Sequence, residues 1–156
     1  MLTNMRGALR AAWRLVLLLA AMTALAACSA DNSGTLHTAK GDFGFRLEIA
    51  ETDQQRAQGL MYRTTLAADA GMLFDYHGEQ EVAFWMQNTF IPLDMIFIGA
   101  DGIVKTIHVN ARPHDTTPIP SGVPVRFVLE IAGGRSVEIG LKPGDRFEHV
   151  RLKTAG

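Results

Sequence analysis

The sequence predicts a mainly β domain, a small compact barrel or sandwich of about seven or eight strands with one or two short helices. Three observations predict it. Short apolar stretches recur with period-two alternation, as where Phe43, Phe45, Leu47 and Ile49 are interleaved with Gly44, Arg46 and Glu48. Turn-forming residues separate these stretches, notably at Gly41, at Ala100-Asp101-Gly102 and at Pro143-Gly144-Asp145. Finally, so many short strands in an open sheet would leave long unpaired edges, so closure into a barrel or sandwich is the favoured solution.

The chain opens with a segment of a different kind. Arg6, Arg10 and Arg14 precede an unbroken apolar run over residues 15–21 and small residues before Cys28, the three-part layout of a secretory signal peptide. Leu25-Ala26-Ala27-Cys28 resembles a bacterial lipobox, in which the cysteine thiol is acylated and becomes the first mature residue. The apolar stretch between Arg14 and Cys28 is shorter than the ~20 residues that span a bilayer. The expected organisation is therefore a lipoprotein signal peptide over residues 1–27, a lipidated tether over 28–35 and one mainly β domain over 36–153. The expected location is the cell envelope, with the membrane as partner through the lipid on Cys28. Ser29, by resemblance to known sorting rules, favours the outer membrane, facing the periplasm.

Cys28 is the only cysteine, so the mature domain has no thiolate for a disulfide, a nucleophile or a metal. After residue 27 twelve basic residues face sixteen acidic ones, a net charge of −4 with neutral histidine. That balance lacks the basic footprint of a nucleic-acid partner.

From residue 36 the elements follow in order. Leu36 and its neighbours pair with the strand around residues 43–49 as a hairpin turning at Gly41. Thr52 followed by Gln55 is a capping-box pattern and Gly59 a helix-ending residue, which together predict a helix over residues 53–58. So short a helix must dock on a sheet, driving Leu60 and Met61 inward. A strand is expected over residues 71–76, a turn over 77–80, and strands over 82–89 and 93–98 broken by Pro92. Another strand covers residues 103–109. The stretch 110–122, with three prolines and almost nothing apolar, is the longest loop, a kind that tends to be functional or mobile. Strands over 123–131 and 146–152 flank a short helical turn bearing Val137 and Ile139.

Several of these segments carry a resemblance. Gly59-Leu60-Met61 between Arg56 and Arg63, Gly71-Met72-Leu73-Phe74, Phe84-Trp85-Met86 with Asn88-Thr89, and Pro92-Leu93-Asp94-Met95 resemble the ordered motifs of the bacterial and archaeal family called domain of unknown function 192. Asp101-Gly102, Leu129-Glu130 and Gly144-Asp145 extend the match, and Gln87 stands where the family's pattern carries a lysine. The resemblance implies a small, mainly β, often exported domain and names no activity.

The candidate chemistry centres on residues 84–98, where polar side chains sit among bulky apolar ones. A buried polar group is costly unless hydrogen-bonded, so these residues either have a structural task or line a pocket. Strict alternation places Asp94 on one face with Ile96 and Ile98, making it a general acid, a ligand anchor, or a carboxylate paired with Arg56 or Arg63 or with backbone donors. Trp85 would share a face with Gln87 and Thr89, offering a flat ring beside polar groups, with Asn88 and Thr89 as support. Met61, Met72, Met86 and Met95 are the methionines of the mature chain, and thioethers are soft ligands suited to Cu(I), though methionine is equally a filler of cores. Glu130 could form a two-carboxylate hydrolase pair with Asp94. The leading expectation is a non-catalytic module that binds a small ligand or an envelope protein through Trp85, Asn88, Thr89, Asp94, Arg56 and Arg63, without a cofactor. A hydrolase using Asp94 and a copper site in the methionines are the alternatives.

Overall fold

The chain separates into two units, residues 1–31 and 32–156. The computed structural model describes residues 32–153, so the signal peptide, the lipobox and Cys28 lie outside the described residues. The domain is mainly β. Its elements are β1 (Ser33–Thr38), β2 (Gly41–Ala50), α1 (Asp53–Gln58), β3 (Ala70–Gln80), β4 (Ala83–Phe84), β5 (Leu93–Ile98), β6 (Val104–Ala111), β7 (Ile119–Pro120), β8 (Val125–Ala132), α2 (Arg135–Glu138), β9 (Arg146–His149) and α3 (Val150–Lys153). Seven strands form one sheet in the order β6-β5-β8-β3-β2-β1-β9, and β4 pairs with β7 alone. The sheet curls until its ends meet. Ile103 bridges Arg146, and the Val104 amide donates to the Asp145 carbonyl at 2.9 Å. The result is a half-barrel fastened at one corner, which reduces the exposed edge.

All but one of the pairings within the large sheet are antiparallel; β2 and β3 run parallel, joined through α1. A parallel pair needs such a crossover because a tight turn cannot reverse the chain twice. The helix itself forms as its sequence indicates. Thr52 accepts from the Gln55 amide while the Gln55 side chain accepts from the Thr52 amide, and Gly59 closes the last turn with φ of 47°.

The large sheet buries both of its faces over β3, β5 and β8. On one side Leu73, Ile96, Ile98, Phe127, Leu129 and Ile131 pack with Leu36, Phe45, Leu47 and Phe147. On the other, Met72, Phe74, Met95, Phe97 and Val128 pack with Leu60, Met86, Ile91 and Leu93. Each large side chain so buried is worth roughly 1.5–3 kcal/mol. Gly71 is required where these strands meet, because a Cβ there would collide with the Glu130 carbonyl oxygen and press on the Ile131 side chain.

The structure corrects five boundaries. β1 begins at Ser33 and takes in part of the stretch expected as tether, since Gly34 pairs with both Phe45 and His149 through its backbone. Residues 77–80 continue β3 through an irregularity instead of turning, with His77 at φ of 60° absorbing the change. The strand expected over residues 82–89 shrinks to Ala83–Phe84. Beyond it Met86 bonds to Asp115, and Thr89 folds back onto the Met86 carbonyl. The long loop is shortened by β6 at one end and contains β7. The last strand stops at His149, and residues 150–153 are helical.

Candidate functional site

Asp94 sits in β5 with an uninterrupted register against β8, so it faces with Ile96 and Ile98 as alternation requires. It is completely buried. Its carboxylate is fully engaged, however, and neither Arg56 nor Arg63 reaches it. Oδ1 accepts from the amides of Asn110 and Gly134, and Oδ2 from the amide and hydroxyl of Ser136, over 2.5–2.8 Å. Each donor has a physical reason to be waiting. The register of β6 against β5 slips opposite Asp94, leaving the Asn110 amide without a strand partner. Gly134, at the start of α2, has no side chain with which to cap it. Asp94 therefore fastens β5, the end of β6 and α2 together, so of the expected partners it takes the backbone donors and not the arginines.

The hydrolase pair with Glu130 is corrected as well. Glu130 lies directly across from Met95 on β5 and Met72 on β3, whereas Asp94 lies across from Ile131. Paired residues point to the same side of a sheet, so the two carboxyls are on opposite faces.

On the face that carries Glu130, a cavity of about 300 Å³ opens to solvent. Asp53, Arg56, Ala57 and Gln58 of α1 form one wall and Gly59, Leu60 and Met61 continue it. Phe74 and Tyr76 of β3, Ala83 and Phe84 of β4, and Trp85 and Thr89 complete the lining, with Glu130 contributed by β8. The aromatic rings are fixed by one another: Phe84 stands edge-on to Phe74 at 5.0 Å and to Phe97 at 6.1 Å. Trp85 remains 53% exposed.

Arg56 is immobilised in the wall. It donates to the carbonyls of Glu51 and Asp75 and to the Asp53 carboxylate, and its guanidinium lies 5.0 Å from the centre of the Tyr76 ring. Glu130 is in the opposite condition. It is only 4% exposed, and no hydrogen bond or ion pair reaches its carboxyl among the described residues. Burial alone pushes that carboxyl up to about 8. The Tyr76 hydroxyl is raised too, chiefly by burial, with the charge of Arg56 opposing and that of Glu130 reinforcing.

The segment that carries Trp85 is held by its neighbours' backbones. Tyr62 donates to the Asn88 carbonyl at 2.8 Å, the Met86 amide to the Asp115 carbonyl at 2.8 Å, and the His114 amide to the Met86 carbonyl at 3.1 Å. Tyr62, Asn88 and His114 all have positive φ, at 63°, 55° and 63°. Such conformations cost of order 1–3 kcal/mol each and persist where surrounding contacts over-determine them.

Of the six expected ligand-binding residues, the cavity brings together Arg56, Trp85 and Thr89. Asn88 stands behind it, its amide 3.9 Å from the Met61 sulfur. Arg63 pairs instead with Glu48, and Asp94 belongs to the opposite face. Thr89 is buried while Gln87 is exposed, so the face expected to hold Trp85, Gln87 and Thr89 breaks at the turn after Met86. Met72, Met86 and Met95 are buried in one apolar cluster, and Met61, half-buried, lines the cavity. Tyr76 is the cavity residue that sequence reasoning did not single out, and Glu130 was expected only as a partner of Asp94. The signal was present for Glu130, a carboxylate inside the apolar run Val125–Ala132.

The family model DUF192, described as Uncharacterized ACR, matches residues 35–149. Two solved structures are similar to the chain. One is a protein of Sinorhizobium meliloti 1021 provisionally described as a transcription regulator, 47% identical, with 75% of this chain and 92% of that chain covered at a TM-score of 0.73. The other is a protein of unknown function from Novosphingobium aromaticivorans DSM 12444, 45% identical, with 74% and 83% covered and a TM-score of 0.73. No curated protein matches the chain.

Proposed function

The chain belongs to the DUF192 family, and since that membership carries no named activity, we propose from its geometry that the domain is a non-catalytic module binding a small organic ligand in the cavity beneath Trp85. One observation carries the reading: a buried carboxyl without a protein partner lines an aromatic cavity. A folded protein ordinarily satisfies a buried polar group, and one left open toward a cavity is a group kept for something that enters. The immobilised Arg56 and the backbone-pinned segment after Phe84 support it, because a preformed site loses little order on binding. The other carboxyl of the lining, Asp53, is exposed and paired with Arg56, which favours binding over two-carboxylate hydrolysis. The regulator description of one relative finds no support in the charge balance, since acidic residues outnumber basic ones after residue 27.

Native mass spectrometry of the full chain, released gently from its host membranes in detergent, tests the reading. The expected result is an organic adduct that disappears in Trp85→Ala while the circular dichroism spectrum is unchanged. A bare protein mass overturns it, as does an adduct indifferent to Trp85→Ala. A copper mass lost on Met61→Leu would replace it with the soft-metal reading.

We also propose that Cys28 carries a lipid that tethers the domain to the outer membrane on its periplasmic side. The lipobox-like Leu25-Ala26-Ala27-Cys28 and the following Ser29 support this. Cells expressing the wild-type chain should incorporate labelled palmitate into it and retain it in the outer-membrane fraction. Cys28→Ala should lose both properties, and equal labelling of the two proteins would refute the anchor.

A further inference from the structure

Glu130 is the one carboxyl in the cavity lining that its surroundings leave unanswered. Met72 of β3 and Met95 of β5 flank it on its face of the sheet, so the sheet supplies thioethers in place of hydrogen-bond donors. The charged and titratable groups that share the cavity come from two elements, Asp53 and Arg56 from α1 and Tyr76 from β3. Arg56 does not bond to it; the guanidinium is turned to the carbonyls of Glu51 and Asp75 and to the Asp53 carboxylate. The segment carrying Trp85 and Thr89 brings no charge. The rest of the lining is rich in ring surface, from Phe74, Tyr76, Phe84 and Trp85.

Resting on the reading of this cavity as a ligand site, we infer that it takes a primary ammonium group on an apolar stem, the ammonium bonded to the Glu130 carboxylate and the stem packed among Phe74, Phe84 and Trp85. Three features of the ligand follow from the lining. A carboxylate with no donor of its own calls for a group bearing several N–H donors and a compensating charge. Ring faces are negative, so ring surface in the lining suits a cationic head beside Glu130. A cavity of about 300 Å³ admits a small arylalkyl or alkyl amine, at the lower end of ligand-pocket sizes.

Burial in the cavity holds Glu130 protonated to about pH 8. An incoming ammonium stabilises the ionised form, so at neutral pH each ligand bound expels one proton. Affinity should therefore rise about tenfold per pH unit up to pH 8, level off above it, and fall once the ligand's own ammonium loses its proton at ~10.

Calorimetric titration of the full chain in detergent with 2-phenylethylammonium tests this, with 2-phenylethanol and 3-phenylpropionate as neutral and anionic counterparts of similar shape. At pH 7 the ammonium should bind about tenfold or more tightly than either counterpart. Buffers of differing ionisation enthalpy should report one proton released. Glu130→Gln, nearly isosteric, should abolish the preference for the ammonium over the alcohol and the proton release. Equal or tighter binding of the alcohol to the wild type overturns the ammonium assignment. The ligand reading itself survives that result if Trp85→Ala weakens the alcohol. Absence of binding by all three probes overturns both.

Discussion

Asp94→Ala is expected to destabilise the domain by roughly 3–5 kcal/mol, a large share of the stability of a single domain. The substitution removes the acceptor of four hydrogen bonds at once, from the Asn110, Gly134 and Ser136 amides and the Ser136 hydroxyl. These donors sit where the β6 irregularity and the start of α2 leave them no substitute in the backbone. A buried donor stranded in this way costs about 1–3 kcal/mol. Asp94→Asn should fall between the two proteins. It keeps one carbonyl oxygen as acceptor but turns an amide N–H₂ toward other donors. Urea denaturation of the full chains in detergent, followed by circular dichroism, measures both. An Asp94→Ala protein within about 1 kcal/mol of wild type would show that the carboxylate does not hold β5, β6 and α2 together.

The second large effect is one of pH. Glu130 keeps its proton in the folded protein until about pH 8, whereas the same side chain ionises at its ordinary 4.5 once unfolded. Between those values the native state binds one proton more than the unfolded state, so stability falls as pH rises. The slope is about 1.4 kcal/mol per pH unit, and the loss completed by pH 8 is on the order of 4 kcal/mol. Below pH 4.5 and above pH 8 the contribution of this residue no longer changes. Glu130→Gln cannot ionise. Its stability relative to wild type should therefore climb between pH 5 and pH 8 by on the order of 4 kcal/mol. Taking the difference between the two proteins removes the carboxylates they share, such as Asp75 and Asp101. Burial tends to raise both, yet hydrogen bonds and neighbouring cations hold them below the ordinary range. Parallel stability curves across this range would mean that Glu130 is solvated or paired in solution.

The two carboxylates show what a single chain does and does not display. Both stand in apolar strands, Asp94 in Leu93–Ile98 and Glu130 in Val125–Ala132. Alternation along β5 was enough to put Asp94 with Ile96 and Ile98, and it held because Pro92 introduces no irregularity against β8. What alternation cannot provide is the identity of partners from distant segments. Asp94 is satisfied by residues 16, 40 and 42 positions away, and Glu130 by none of the described residues. Their chemistry therefore diverges although their local sequences are alike. The segment after Phe84 failed for a related reason. Its apolar and aromatic residues read as a strand, but Asp115 and Tyr62 take its backbone groups and turn it at Asn88.

The sequence by itself determined the mainly β class, the short capped helix over Asp53–Gln58, the buried strand Leu93–Ile98 and the family, because periodicity, capping and motif order are properties of neighbours along the chain. Only the tertiary structure decided that Asp94 is a fastening and that Glu130 lines a cavity with no hydrogen-bond partner among the described residues. Curling of the sheet, crossover of α1 and the order of β5, β8 and β3 choose which face each carboxyl meets and which donors are within reach. A hydrogen-bond partner separated by forty residues leaves no periodic trace in the chain, and a missing partner leaves none at all.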